Sequence, residues 1–184
     1  VSGNTQTDTV GQLLVEPLVV RAEDQGGTAV SAVSIEFSVS QGGGSLSETS
    51  ATSGGDGEAS TSWTLGTTSG TQNVTALIEG SGGATANFSA TATPGPATVF
   101  SKESGDQQIG KNDRALPEPV IAAVKDEFGN GIPGIPVTFS VTDGGGSISP
   151  ADSLTGEAGT AEVIWTMGVV GANTLTASTA GFPD

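Results

Sequence analysis

Displacing the chain against itself by 102 residues lays residues 2–66 on residues 104–168 without a gap, and 22 of those 65 positions are identical. Three anchors set the register. Phe37-Ser38-Val39 falls on Phe139-Ser140-Val141, Gly42-Gly43-Gly44-Ser45 on Gly144-Gly145-Gly146-Ser147, and Trp63-Thr64 on Trp165-Thr166. One deletion later Val74-Thr75-Ala76 falls on Leu175-Thr176-Ala177. A 184-residue chain made of two copies of one unit holds two domains of ordinary small size. The expected boundary lies at Pro94-Gly95-Pro96, with domains 1–94 and 95–184. Two prolines in three residues remove backbone donors and stiffen that joint, which predicts a semi-rigid tandem.

Within each copy the apolar residues alternate with period two. Ile35, Phe37 and Val39 share one face while Ser34, Glu36 and Ser38 share the other, the pattern of a half-buried strand. Val137, Phe139 and Val141 repeat it, as do Trp63 with Leu65 and Val163 with Trp165 and Met167. Further strands are expected at 18–22, 74–78, 86–92 and 98–101, and no helical apolar stripe is sustained over three turns. Short strands every 8–12 residues with Gly, Pro, Asn and Asp between them predict an all-β sandwich in each copy. Phe37 with Trp63, and Phe139 with Trp165, are the expected core aromatics.

Composition narrows the chemistry. The chain has no His and no Cys, so Ser-His-Asp and Cys-His nucleophilic sites, ordinary zinc sites and disulfides are excluded. Twenty acidic against five basic residues give a net charge of -15, which disfavours nucleic acid and anionic membrane surfaces. No apolar run spans a bilayer, so membrane insertion of this segment is not expected. Gly42-Gly43-Gly44-Ser45 follows a strand but lacks the Gly-Lys-Ser/Thr of a phosphate loop, and reads as a tight bend.

Carboxylates are the only abundant metal-ligand type. Glu23, Asp24, Asp126, Glu127 and Asp143 lie at loop ends and are the weak Ca²⁺ candidates. They lack the Asp-x-Asp-x-Asp/Asn-Gly spacing, and Ca²⁺ requires six to eight converging oxygens, so solvated turn acids are the expectation. Both Trp residues sit on core-alternating positions rather than on a sugar-binding cleft, so no enzyme and no cofactor is expected.

The second copy carries Val124-Lys125-Asp126, Gly129-Asn130, Pro133-Gly134, Pro136-Val137-Thr138-Phe139-Ser140-Val141, Gly144-Gly145-Gly146-Ser147, Gly159, Ala161 and Trp165-Thr166-Met167-Gly168. This ordered string resembles the bacterial Ig-like repeat of the invasin/intimin type. Copy one is similar but diverges in the turn, where Gln25-Gly26-Gly27-Thr28-Ala29 stands in place of the Asn-Gly sequence. The resemblance implies two tandem immunoglobulin-like β-sandwich domains, extracellular or at the cell surface, as modules of a stalk, adhesin or fibre. The implied partners are adjacent Ig-like repeats or neighbouring subunits, and a host receptor or glycan. The family transfers no catalytic residue. The alternative it leaves open is an Ig-like module of a phage virion or surface filament that binds host glycans or assembles by strand donation.

Aligned on the repeat, copy one lacks a counterpart of the strand at 97–102, and copy two lacks a counterpart of residues 83–92. Two expectations follow. Either the chain is a segment of a longer array, or a neighbouring subunit donates the missing strand.

Overall fold

The computed structural model describes residues 2–78 and 83–182. The chain divides into two compact units, Val1–Pro94 and Gly95–Asp184. The fold is all-β, and among the described residues there is no helix long and apolar enough to cross a membrane.

In the first unit the large sheet contains β1 (Gln6–Thr9), β9 (Thr85–Thr93), β8 (Gly70–Ile78), β3 (Ser34–Gln41) and β5 (Ser50–Thr52), in that spatial order. All neighbours are antiparallel except β1, which runs parallel to β9. Two ladders form separately, β2 (Leu18–Arg21) with β6 (Glu58–Thr61), and β4 (Gly44–Leu46) with β7 (Trp63–Leu65). Only Ser62 separates β6 from β7, so one stretch of chain serves both ladders. The core gathers Leu18, Ile35, Phe37, Trp63, Leu65, Val74 and Phe88, each at most 2% exposed. Burial of apolar area at about 25 cal/mol per Å² makes such a cluster the main driving force of the fold.

The second unit repeats the plan. One sheet runs β10 (Val99–Ser104), β11 (Val120–Lys125), β15 (Thr160–Met167) and β13 (Gly146–Ser149). The other runs β14 (Asp152–Leu154), β12 (Pro136–Asp143) and β16 (Thr174–Ser178). Here β15 is continuous and pairs with both β11 and β13, the roles that β6 and β7 divide in the first unit. Val137, Phe139, Val163 and Val124 are buried, as the alternation requires, while Ile164 on the opposite face is exposed.

The strand bounds extend the sequence expectations rather than replace them. The 74–78 strand grows to Gly70–Ile78, and the 98–101 strand becomes Val99–Ser104. Strand β1 is new. Its sequence Gln-Thr-Asp-Thr carries no apolar alternation, because what holds it is backbone pairing to Ala90–Thr93 rather than a buried face. The diverged turn of copy one also closes in the same way as its counterpart. Asp24 N–H donates to Thr28 O and Gly27 N–H to Asp24 O, matching Asp126 N–H to Asn130 O and Gly129 N–H to Asp126 O.

Candidate functional site

The polar side chains that sequence reading leaves unassigned form pairs of matching clamps, one in each unit. Gln72 is fully buried beneath the Gly42-Gly43-Gly44 bend. Its Oε1 accepts the Gly66 N–H at 2.8 Å and its Nε2 donates to the Thr68 carbonyl at 2.8 Å. In the second unit Asn173 takes this place, accepting the Gly168 N–H at 3.3 Å and donating to the carbonyls of Val169 and Gly171. Above each amide, three successive glycines hold positive φ, 84°, 78° and 97° at Gly42, Gly43 and Gly44. A Cβ on Gly44 would lie 2.3 Å from the Thr64 carbonyl oxygen, so the bend requires glycine there.

Three further clamps recur. Gln6 bridges Gly3 and Glu16 with three side-chain–backbone hydrogen bonds, and Gln108 bridges Gly105 and Glu118 with the same three. Ser53 accepts the Val33 N–H and donates to Val30 O, while Thr155 accepts the Ile135 N–H and donates to Ile132 O. Asp24 accepts the N–H groups of Gly26 and Thr28, at 2.8 and 2.9 Å. Asp126 accepts those of Phe128 and Asn130, at 2.9 and 2.8 Å.

Asp126 departs from the expectation of a solvated turn acid: it is 1% exposed. Its second oxygen accepts the Asn130 Nδ2 donor at 2.8 Å and the Gly95 N–H at 2.9 Å. Burial works to raise its pKa, but these four donated hydrogen bonds outweigh it and hold the carboxyl below the ordinary 3.8. Asp24 is exposed, and the Thr28 and Gly26 N–H groups hold it below its ordinary value too. Of the remaining Ca²⁺ candidates, Glu23 pairs with Arg21 at 3.0 Å, Asp143 caps Gly144 N–H at 2.8 Å, and Glu127 is exposed. Among the described residues no group of three or more acids could hold a metal ion.

The four aromatic candidates lie in the interior, Phe37 and Phe139 at 2%, Trp63 at 0% and Trp165 at 8% exposure. Neither indole N–H meets a hydrogen-bond acceptor, so both rings serve as apolar bulk. Repetition of Gln6 at Gln108 was present in the aligned sequence as an identity. The Gln72–Asn173 equivalence was not, because it lies beyond the deletion and changes side-chain length.

Residues 115–182, most of the second unit, match the family model of the bacterial Ig-like domain (group 1). That stretch of the second unit is similar to this domain. The resemblance read from its motifs is borne out there, and the first unit repeats that domain's strand plan and clamps. No curated protein matches the chain in sequence. Similar solved structures include the D0-D1 domain of intimin, at 20% identity over 97% of this chain and 89% of that one, with a TM-score of 0.38. The Escherichia coli adhesin FdeC shows 21% identity over 96% of this chain and 58% of that one, with a TM-score of 0.49. The Yersinia pseudotuberculosis adhesin InvE shows 18% identity over 95% of this chain and 53% of that one, with a TM-score of 0.42.

Proposed function

We propose that this chain is a non-catalytic structural and adhesive element, two autonomous Ig-like domains at 1–94 and 95–184 within an extracellular surface stalk, adhesin or fibre. The observation that carries the reading is where the polar chemistry goes. Gln6, Asp24, Ser53 and Gln72, with Gln108, Asp126, Thr155 and Asn173, all bind backbone groups of their own unit. Side chains that hold loops shut suit a module that keeps its shape, rather than one that presents groups to a substrate. The carboxylates of Glu23, Asp24, Asp126, Glu127 and Asp143 act as loop caps and surface charge. Acidity is shared evenly, net -8 over residues 1–94 and -7 over residues 95–184, so each module repels its neighbours and stays solvated. Its partners are adjacent Ig-like repeats or neighbouring subunits, and any receptor or glycan meets the exposed loops.

Single-molecule extension between the two chain ends tests the load-bearing role. The reading expects two separate unfolding events, each releasing roughly 30 nm of chain at about 3.4 Å per residue. One concerted event, or extension without resolvable events, would contradict it.

A further inference from the structure

The Asn-Gly pair that sets the second unit's turn apart carries chemistry that turn formation alone does not use. Of the six asparagines in the chain, Asn130 alone is followed by glycine. With no Cβ on the next residue, the backbone nitrogen of Gly131 reaches the asparagine side-chain carbonyl carbon more readily than a bulkier residue allows. The fold explains why both residues stand there. A Cβ on Gly131 would lie 2.2 Å from the carbonyl carbon and oxygen of Ala158, so the position admits only glycine. Asn130 supplies two of the four hydrogen bonds to the buried Asp126 carboxylate, from its backbone N–H and its Nδ2, each at 2.8 Å. The first unit has Thr28 and Ala29 at these positions, and neither carries an amide side chain.

Two opposing conditions meet at this turn. Its backbone bonds run from Asp126 N–H to Asn130 O and from Ile132 N–H to Val124 O, and the Gly131 N–H between them takes part in neither. Glu127, Phe128 and Gly129 are exposed, so water reaches the turn. A nucleophile and a solvent are therefore in place. Against them, Asp126 grips Asn130 twice: its Oδ1 accepts the backbone N–H and its Oδ2 accepts the Nδ2 donor. Oδ2 is itself fixed by the Gly95 N–H at 2.9 Å. Ring closure onto Gly131 requires the Asn130 amide to give up its nitrogen, which breaks a hydrogen bond to a buried charge.

We propose that Asn130 is a site of spontaneous deamidation, and that Asp126 is the positioning residue that holds the reaction off while the second unit is folded. The Gly131 nitrogen bonds to Cγ of Asn130, and the side-chain nitrogen leaves with the Gly131 proton as ammonia, closing a succinimide. One water then opens the ring at either carbonyl, giving aspartate or β-linked isoaspartate at position 130. Neither product fits the site that made it. An aspartate there sets a carboxylate where Nδ2 donated, so two like charges face each other beside a residue that is 1% exposed. An isoaspartate adds a main-chain carbon between the two backbone bonds of the turn. In both cases the turn and the Gly95 contact loosen together, an irreversible change confined to the second unit. The inference is independent of the stalk reading, since it rests on one turn.

The test follows the whole chain in mildly alkaline buffer by peptide mass mapping of every asparagine, with ammonia release as a second readout. The unaltered chain is compared with Asp126→Ala and with Val163→Ala, a core change in the same unit that leaves the turn's hydrogen bonds in place. In denaturant all three should convert at Asn130 ahead of the other asparagines. Folded, the unaltered chain should convert at least about tenfold more slowly than in denaturant, because the turn must first open. Asp126→Ala should recover most of that factor and outpace Val163→Ala when urea brings the two to equal stability. Asn130→Asp should lower the stability of the second unit and leave the first unchanged. Equal rates for the two variants at matched stability would overturn the role of Asp126. No preference for Asn130 in denaturant, or a folded chain that converts as fast as the denatured one, would overturn the site. An Asn130→Asp variant as stable as the unaltered chain would overturn the consequence drawn for the turn.

Discussion

The carboxylate of Asp126 accepts the backbone N–H of Gly95 at 2.9 Å, across 31 residues of sequence. The same carboxylate closes its own turn through Phe128 and Asn130. One side chain thereby ties the segment entering β10 to the loop that follows β11. Its equivalent, Asp24, closes only the turn.

Replacing Asp126 with Ala strands two turn donors and the Gly95 N–H together. Losing hydrogen bonds to a buried charged acceptor should destabilise the second unit by about 2 kcal/mol. Asp24→Ala, at an exposed carboxylate, should cost less. Denaturant unfolding of both variants checks the order, and an equal or reversed effect would show that burial of Asp126 contributes nothing.

The same residue makes the second unit sensitive to acid. Its folded pKa lies below the ordinary 3.8 because donated hydrogen bonds favour the charged form. The stabilisation is therefore complete above the unfolded pKa and is lost as pH falls through the folded one. Melting temperature should be level above about pH 5 and drop below about pH 4. Asp106 is shifted in the same direction and adds to the drop, while Asp24, also lowered, acts on the first unit. Asp126→Asn should flatten the acid limb of the second unit, and an unchanged limb would assign the sensitivity elsewhere.

Adjacent glycines of one bend should respond differently to alanine. Gly44 has φ of 97° and a Cβ there meets the Thr64 carbonyl oxygen, so Gly44→Ala should cost more than about 2 kcal/mol. Gly43 has φ of 78° with nothing nearer than 4.0 Å, so Gly43→Ala should cost only the left-handed penalty of about 1 kcal/mol. Thermal melts of the two variants decide it. Equal losses would mean that backbone conformation alone governs the bend.

Period-two alternation and the 102-residue repeat were enough to read the sandwich and its buried aromatics, because both are patterns of local spacing. Asp126 is buried rather than solvated, and one of its four hydrogen bonds comes from Gly95, a residue that no local pattern connects to it. Strand β1 escaped for a related reason: Gln6–Thr9 has no buried face, and its partner in β9 lies more than eighty residues away. The turn at Gln25–Thr28 diverges in sequence, yet the identical Asp24 and Gly27 preserve its hydrogen bonds. Identity at two positions carried more structural information there than the divergence at the others.

Each unit holding its own loops with its own side chains is the central claim, and hydrogen exchange of the full chain tests it most directly. Gln72→Met keeps the volume of a buried residue but leaves the Gly66 N–H and the Thr68 carbonyl without their side-chain partners, costing about 2 kcal/mol. Exchange should rise across the described amides of residues 2–94, most at the 42–44 and 66–72 bends, and stay unchanged in residues 95–182. A rise of equal size in both halves would contradict two self-contained domains.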